Sequence, residues 1–380
     1  MTRLRLHLRL RLCLVGVTLA LVPAIGRGQP APAPAAVPRA TLVPAPTLAL
    51  PGTVDSNSPI VWDLVDGVPT VFAMTSSGGT PYLASGTRLN AFSGREPVTL
   101  TPHPGNGVWM EAVVADADGT WYGYYHNENP ATSVCGRADR AIARIGAARS
   151  RDQGRTWRDL GIILEAPLAS VACGSPNRYV IGGVGDLSVA LDETSSFLYV
   201  FFSQYHQAIE AQGVAVARFP WAHRDYPWWG ITVWDEGAWL LPRFVKAPTT
   251  DVNGVRRRGW LEYPAGSPLV RTTQAWHDAD GRVNAFWGPS VHWNSSIGQY
   301  VMLLNRSKDE SYNQDGIYVS FAPRLDDPGL WSAPALLLPG GKWYPQVVGL
   351  AEGTGSDKEA GEVARFFMSG RSDYYIRFSR

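Results

Sequence analysis

Three carboxylates stand where a polar segment gives way to an apolar strand. Asp55 lies in D-S-N-S-P, Glu111 leads into A-V-V-A, and Asp186 lies in G-G-V-G-D before L-S-V-A-L. Carboxylates that share one small rim repel one another and lose solvation, so at least one pKa should rise. A carboxylic acid of raised pKa beside an ionised carboxylate is the pair that cleaves a glycosidic bond. The sequence therefore offers Asp55, Glu111 and Asp186 as catalytic candidates.

Each of the three also has a structural interpretation. Asp55 could form a turn or cap a backbone segment, and the glycines before Asp186 allow a tight turn as readily as a close approach to a ligand. Glu111 is harder to explain in this way, because a charge buried without a partner is costly. The division of roles among them stays open.

Further residues near the same strand starts are candidates for substrate binding. They are Asn57, Trp109, His126, Ser290, His292, Tyr344 and Gln346. His126, with Glu128 beside it, follows a second strand, so both lie nearer a loop. His126 and His292 with a carboxylate could hold a metal, but no ligand spacing supports such a site, and we expect no metal or other cofactor.

The elements that position these residues repeat along the chain. Five segments share one plan, a polar start, an alternating apolar strand, a turn and an aromatic-rich strand: Asp55–Met74, Glu111–Tyr125, Asp186–Phe202, Pro289–Leu304 and Pro345–Gly370. Hairpin turns are predicted at Asp66-Gly67, Asp118-Gly119, Ser195-Ser196 and Ile297-Gly298. Third strands follow from Ile145, Gly213, Gly316 and at the C-terminus, and outer strands from Pro97, Leu160 and Pro334.

Repeated units of four strands predict an all-β fold, a five-bladed β-propeller. The first strand of each blade would line the central channel, so the strand starts would meet at one mouth. The segment from Thr41 to Leu50 resembles the outer strand that the last unit lacks, and we expect it to complete that blade and close the ring. A two-sheet sandwich is the alternative, which the repeated strand order disfavours.

The N-terminus predicts export. Arg3, Arg5, Arg9 and Arg11 precede an uncharged apolar run that is too short to span a bilayer, as in a secretory signal. We expect a signal peptide at 1–28, a Pro/Ala-rich linker at 29–40 and a single domain at 41–380, in a secreted or periplasmic protein. Cys135 and Cys173 remain after signal removal, and in that compartment they can form one disulfide.

Charge and aromatic content limit the kinds of partner that the chain can have. The chain has 34 Lys and Arg against 33 Asp and Glu, so it carries no electrostatic footprint for nucleic acid. Its 15 Trp and 15 Tyr suit β-strands and pockets that stack on sugars. We expect a monomer with a carbohydrate partner and no membrane contact after signal cleavage.

One local motif is specific. S-R-D-Q-G-R-T-W, from Ser150 to Trp157, matches the Asp-box pattern S-x-D-x-G-x-T-W and resembles the Asp boxes of sialidases. Asp152 and Gly154 suit a tight turn between the third and fourth strands of the second unit, at the periphery of the fold.

The mature chain resembles the five-bladed glycoside hydrolases of the arabinanase/xylosidase and invertase types. The resemblance rests on D-x-N-S-P, W-x-E-A, G-G-V-G-D and G-P-S-x-H-W, which are similar to motifs of uncharacterised secreted bacterial proteins of that superfamily. It implies that Asp55 acts as base or nucleophile. Glu111 and Asp186 would supply the general acid and the carboxylate that tunes its pKa, although their order along the chain departs from the usual pattern.

Two classes of function follow from these observations. The first is an exported glycoside hydrolase, and the second is a carbohydrate-binding propeller without turnover. An exo-sialidase is a weaker alternative, because A-R-I-G at Arg144 lacks the R-I-P signature of those enzymes and about five blades are counted rather than six.

Overall fold

Alternating apolar residues and hairpin turns fold this chain into a nearly all-β protein. The computed structural model describes residues 37–245, 249–250, 256–257, 260–272, 284–309 and 313–380. The predicted signal peptide and residues 29–36 of the predicted linker lie outside these ranges. Within them the helices are a short α1, Thr132–Cys135, and four single 3₁₀ turns at Leu168–Ser170, Ile209–Ala211, Trp221–His223 and Pro328–Leu330.

The first half of the chain forms strands in sequential hairpins. They are β1 (Arg39–Ala49), β2 (Ile60–Val65), β3 (Val68–Ser77), β4 (Thr80–Gly86), β5 (Phe92–Pro97), β6 (Thr99–Thr101), β7 (Gly107–Ala115), β8 (Trp121–Ala131), β9 (Arg137–Ser150), β10 (Thr156–Glu165), β11 (Val180–Leu191), β12 (Phe197–Gln204), β13 (Gly213–Pro220), β14 (Thr232–Asp235) and β15 (Ala238–Leu240).

The second half continues in the same manner. Its strands are β16 (Arg243–Val245), β17 (Thr249–Thr250), β18 (Arg256–Arg257), β19 (Trp260–Glu262), β20 (Phe286–Asn294), β21 (Gln299–Ser307), β22 (Gln314–Ala322), β23 (Ala335–Pro339), β24 (Pro345–Gly349), β25 (Glu359–Ala360), β26 (Val363–Met368) and β27 (Arg371–Ser379).

Antiparallel pairing groups these strands into consecutive meanders. The pairings run β2-β3-β4-β5, β7-β8-β9-β10, β11-β12-β13-β14 with β15, β20-β21-β22-β23, and β24-β26-β27-β1. The second and third meanders are also joined directly, because β11 pairs in parallel with β9. Four inner hairpins turn at the dipeptides expected from the sequence; Asp66 and Gly67 between β2 and β3 both have positive φ, as a tight two-residue turn requires.

The N-terminal strand pairs with the C-terminal strand. Strand β1 runs antiparallel to β27, from Arg39 opposite Ser379 to Ala49 opposite Arg371. Apolar residues of β1, Ala40 and Leu42, pack on the core cluster that contains Phe366. The segment from Thr41 therefore supplies the fourth strand of the last meander.

One outer strand differs from the sequence prediction. The fourth strand of the first meander is β5, of which the P-V-T-L segment supplies only the last residue, Pro97. Residues Thr99 to Thr101 form β6, which pairs in parallel with β10 of the second meander. The chain stays beside β4 through Val98, whose N–H donates to the carbonyl of Pro81, and changes partner at Thr99.

The core lies between neighbouring meanders. One cluster joins β8 and β9 of the second meander to β11–β13 of the third through side chains such as Tyr124, Ile145, Leu187 and Phe202. Another joins β12 and β13 to β20 and β21. Because side chains alternate along each strand, both faces of a meander are buried against its neighbours.

Two local features fix the edges of the second meander. Cys135 and Cys173 are disulfide-bonded, with their Cα atoms 5.3 Å apart. In the turn between β9 and β10, Asp152 accepts hydrogen bonds from the backbone and hydroxyl of Thr156 and from the hydroxyl of Ser150. No helix in the described ranges is long and apolar enough to cross a membrane.

Candidate functional site

A cavity of about 660 Å³ opens where loops and strand starts of several meanders meet. Three carboxylates face it, together with an imidazole and aromatic side chains. The residues that matter chemically are Asp55, Trp109, His126, Glu128, Asp186 and Tyr344. A concave site with convergent polar groups and aromatic walls is the usual form of a small-molecule site.

Two carboxylates owe their positions to β-bulges. In β7, Met110 opposes Tyr125 and Ala112 opposes Tyr124, which leaves Glu111 as the extra residue. In β11, Gly185 opposes Ser203 and Leu187 opposes Phe202, which leaves Asp186 as the extra residue, with a φ of 36°. A bulge turns one side chain away from the regular alternation of the strand. Both strands use it to direct a carboxylate toward His126.

His126 lies between three carboxylates. Its Nδ1 atom is 3.6 Å from Oε1 of Glu111 and 3.5 Å from Oδ1 of Asp186, and its Nε2 atom is 3.8 Å from Oε1 of Glu128. The imidazole lies against the backbone of Gly185, where a Cβ atom would stand only 2.7 Å from Nε2. Gly185 is therefore required by the position of the ring.

The second oxygen of each bulge carboxylate is held by a separate donor. The backbone N–H of Leu187 donates to Oε2 of Glu111 at 2.6 Å, and the hydroxyl of Tyr205 donates to Oδ2 of Asp186 at 2.5 Å. Glu111 is 1% exposed and His126 is 5% exposed, so this cluster is almost completely dry.

Burial sets the protonation of this cluster. Burial raises the pKa of Glu111 to about 7, with the charge of Asp186 in the same direction and the hydrogen bond to His126 opposing it. Burial alone would lower the pKa of His126, but its carboxylate neighbours Asp186, Glu111 and Glu128 raise it well above the ordinary value. Without a bound cation, the cluster therefore retains a proton on the imidazole at neutral pH.

Asp55 stands on another part of the cavity wall. Its backbone N–H donates to Ser76, whose hydroxyl in turn accepts from Met110, so its position is tied to the strand that carries Glu111. Its carboxylate receives hydrogen bonds from the side chains of Tyr344 and Trp109, while partial burial and the charge of Asp186 raise its pKa.

Glu128 and Tyr344 complete the polar wall. Burial raises the pKa of Glu128, and the negative charges of Asp186 and Asp55 act in the same direction, while the imidazolium of His126 opposes them. Burial and the charges of four carboxylates, Asp186, Asp55, Glu111 and Glu128, raise the pKa of Tyr344 well above its ordinary value. Tyr344 therefore acts as a neutral hydrogen-bond donor at this site.

The structure places Glu111 behind the cavity wall. Glu111 is not among the lining residues, because its bulge turns the carboxylate toward His126 and the Leu187 amide. Glu111 therefore contacts His126 rather than lining the cavity, and its predicted catalytic role stays a prediction.

Four residues predicted to bind substrate also lie away from the cavity. The Asn57 amide donates to the carbonyls of Leu187 and Pro289, and Gln346 exchanges two hydrogen bonds with the backbone of Ser58. The hydrogen bonds of both amides go to backbone groups, and they hold strand starts together. Ser290 is 4% exposed in β20, where it follows the register shift that begins after Trp287.

His292 is the fourth of these residues. It is 1% exposed, its ring packs edge-on against Phe378, and neither ring nitrogen has a hydrogen-bond partner among the described residues. Burial, together with the positive charge of Lys358, lowers its pKa to about 3. His292 is thus a neutral core residue.

Several cavity residues had weak or no sequence signals. Tyr205 directly follows β12, and His126 and Glu128 lie in the second half of β8. The cavity is therefore approached by the ends of second strands as well as by the starts of first strands. Trp343 and Lys342 line it beside the predicted Tyr344, and Lys308 lies at the end of β21. When the two strands of each predicted hairpin are aligned residue by residue, the residues opposite the strand starts become cavity candidates.

A metal-binding arrangement also emerges, although the sequence spacing predicted none. One ligand atom from each of Glu111, His126 and Asp186 lies within 4.8 Å of the others. These residues come from β7, β8 and β11, so no local spacing in the sequence could reveal them.

Comparisons with known proteins give structural likenesses only. No protein-family model matches the chain, and neither does any curated protein sequence. An endo-arabinase from Bacteroides thetaiotaomicron has a TM-score of 0.49 at 10% identity, over 88% of this chain and 97% of that one. An alpha-L-arabinofuranosidase from Podospora anserina, in complex with cellotriose, has a TM-score of 0.44 at 11% identity, over 90% and 96%.

A further solved structure is similar over less of its own length. An exo-beta-1,3-galactanase from Phanerochaete chrysosporium, with beta-1,3-galactotriose, has a TM-score of 0.46 at 12% identity, over 88% of this chain and 64% of that one. By their names these three neighbours are glycoside hydrolases. At these values of identity and TM-score, their likeness says nothing about what this chain binds or acts on.

Proposed function

We propose that this chain is a secreted glycoside hydrolase that cleaves glycosidic bonds in oligosaccharides or polysaccharides. Its five meanders would be the blades of a propeller, with the cavity at the mouth of the ring. The observation that carries the proposal is the pair of carboxylates Asp55 and Glu128, which face one cavity with aromatic walls. Hydrolysis of a glycosidic bond needs two carboxyl groups on opposite sides of that bond.

The surroundings of each carboxylate suggest its role. Burial raises the pKa of Asp55, while hydrogen bonds from Tyr344 and Trp109 favour its ionised form, and we assign it to activate water or attack the anomeric carbon. Glu128 would donate its proton to the departing oxygen. Asp186 would assist both by holding His126 with Glu111 behind the wall.

Aromatic side chains supply the surface for the sugar rings. Trp109, Trp343 and Tyr179 all line the cavity, and such rings stack on the apolar faces of sugars. A sialidase would need a clamp of arginines for the substrate carboxylate. No arginine lines the cavity in the described part of the chain, which disfavours that alternative.

A secreted location is supported indirectly. The disulfide between Cys135 and Cys173 persists only in an oxidising compartment. The predicted signal peptide agrees with it, and analysis of the mature N-terminus of the exported protein by mass spectrometry would test that prediction.

The test is hydrolysis by the purified mature protein. It would be assayed against a panel of oligosaccharides and polysaccharides for release of reducing ends, beside Asp55→Asn and Glu128→Gln. We expect turnover by the unmodified protein and a loss of at least about 100-fold in each variant. Asp66→Asn, in a turn that accepts Asn, and Glu352→Gln, in an exposed loop, are the matched controls.

The outcomes separate three accounts. Sugar binding without turnover would indicate the carbohydrate-binding alternative. Turnover that survives both substitutions would place the active site elsewhere. Turnover lost in the controls as well would show a defect of folding rather than of chemistry.

A further inference from the structure

We propose that Glu111, His126 and Asp186 bind one divalent transition-metal ion, with its open coordination position toward the cavity. The inference is independent of the proposed hydrolase activity, since it concerns binding of the ion alone. It rests on the spacing of the three ligand atoms, on the donors behind them, and on the surroundings of the imidazole.

The spacing fits ligands around an ion better than it fits ion pairs. Nδ1 of His126 lies 3.6 Å from Oε1 of Glu111 and 3.5 Å from Oδ1 of Asp186. A charge-assisted hydrogen bond between such groups would close to about 2.8 Å. Atoms bound about 2.1 Å from a tetrahedral metal stand about 3.4 Å apart, close to these two distances, and all three ligand atoms lie within 4.8 Å of one another.

The other oxygens are already held. Oε2 of Glu111 accepts the Leu187 N–H, and Oδ2 of Asp186 accepts the Tyr205 hydroxyl. This leaves Oε1 and Oδ1, the two oxygens that face Nδ1, free to bind an ion. Metal-binding carboxylates are generally oriented by such outer hydrogen bonds.

The imidazole gives a second observation. Nδ1 of His126 faces one oxygen of Glu111 and one of Asp186, and the backbone N–H of Asp186 lies 3.4 Å from the same nitrogen. An ion bound there would take the place of the imidazole proton that otherwise lies between these carboxylates. Nε2 is buried without a hydrogen-bond partner in the described residues, and Oε1 of Glu128 lies 3.8 Å from it.

In a metal-binding histidine one nitrogen binds the ion, and the other N–H is generally directed toward a carboxylate, a backbone carbonyl or a water. Glu128 is the carboxylate on that side of His126. The backbone of Gly185 lies against the ring, because an added Cβ would lie 2.7 Å from Nε2. This contact and the hydrogen bonds from Leu187 and Tyr205 position the three ligands.

The donor set selects the ion. One nitrogen and two carboxylate oxygens from three strands suit Zn²⁺ or a similar ion. Calcium would need six to eight oxygen ligands, and the site offers too few. Asp186 and His126 line the cavity while Glu111 does not, so a water or a sugar hydroxyl would take the open position from the cavity side.

Binding can be measured without any substrate. The untagged mature protein would be stripped with a chelator, dialysed and titrated with Zn²⁺ against a chromophoric competitor. We expect one ion per chain with a dissociation constant tighter than about 10 µM. Co²⁺ in place of Zn²⁺ should show the visible absorption of a four- or five-coordinate site.

Variants locate the ion. His126→Ala and Asp186→Asn should each weaken binding by at least about 100-fold, and Tyr205→Phe, which removes only an outer hydrogen bond, by about 10-fold. His103→Ala, at an exposed histidine, is the control and should bind as the unmodified protein does.

Two results would overturn the proposal. One is a stripped, folded, unmodified protein that binds neither Zn²⁺ nor Co²⁺ more tightly than about 100 µM. The other is unchanged binding in His126→Ala and Asp186→Asn. Because the readout is the ion itself, a negative result here leaves the hydrolase assay unaffected, and the reverse also holds.

Discussion

At the level of single residues, the candidate site depends on two bulges that no propensity scale predicts. Positions at strand starts predict Asp55, Trp109, Asp186 and Tyr344, and these four line the cavity, as does His126 from a second strand. Asn57 and Gln346 hydrogen-bond to backbone and do not line the cavity, because sequence does not distinguish an amide that binds backbone from one that binds a ligand. Glu111 stands out in the sequence as a buried charge, and its partners explain that burial.

Gly185 provides a test of the position of His126. Gly185→Ala would place a methyl group 2.7 Å from Nε2, so the imidazole must shift from its place beside Glu111 and Asp186. We expect turnover to fall by about 10-fold or more while the fold persists, since misplacement of a supporting group by about 1 Å has effects of this order. The assay is kcat/KM on the best substrate, with far-UV circular dichroism.

The matched control for this substitution is Gly94→Ala. A Cβ atom there meets nothing within 4 Å. Equal activity of the two variants would mean that the position of His126 does not matter to the reaction.

His292 predicts a pH dependence of stability. Its pKa is about 3 in the folded protein and 6.5 by ordinary reference, so between these values the unfolded chain binds a proton that the folded chain does not. Stability is therefore lost as pH falls below about 6.5, by about 3 kcal/mol at pH 4. His292→Leu should move the midpoint of acid denaturation to lower pH, as measured by intrinsic fluorescence.

The control for His292 is the exposed His103. His103→Leu should leave the acid midpoint where it is in the unmodified protein, because His103 is exposed and lies outside the core. An acid midpoint that is the same in His292→Leu would show that protonation of His292 does not limit stability.

At the level of elements, the sequence predicts the hairpins but not the strand that pairs outside its own meander. Alternating apolar residues and turn dipeptides identify four inner hairpins, and the segment from Thr41 is recognisable as the outer strand that the last unit lacks. The P-V-T-L segment was misplaced because β6 leaves its own meander for β10. Such a pairing depends on contacts between meanders, which the local pattern does not contain.

Strand β1 gives the prediction at this scale. A chain that starts at Leu50 lacks the partner of β27 and exposes the core under Ala40 and Leu42. We expect its Tm to fall by about 10 °C or more. A chain that starts at Pro38 keeps β1 and should melt as the mature protein does; a truncation at Leu50 with an unchanged Tm would show that β1 contributes nothing.

At the level of the whole molecule, the short segment around Asp55 connects the meanders. Asn57 reaches β11 and β20, Ser58 pairs with Gln346 of β24, and Asp55 is bonded to Ser76 of β3. Residues far apart in sequence thus converge at one place, which is where the cavity lies. The ring of five blades that we propose would explain this convergence, because inner strands of a propeller meet at its axis.

The central claim is that Asp55 and Glu128 divide the work of glycosidic cleavage. The most direct measurement compares kcat/KM of Glu128→Gln on the natural oligosaccharide and on a dinitrophenyl glycoside of the same sugar. The account predicts a large loss on the oligosaccharide, whose leaving group needs a proton, and a small loss on the dinitrophenyl glycoside, whose leaving group does not. Asp55→Asn should lose activity on both. An equal loss on both substrates in Glu128→Gln would contradict its role as proton donor.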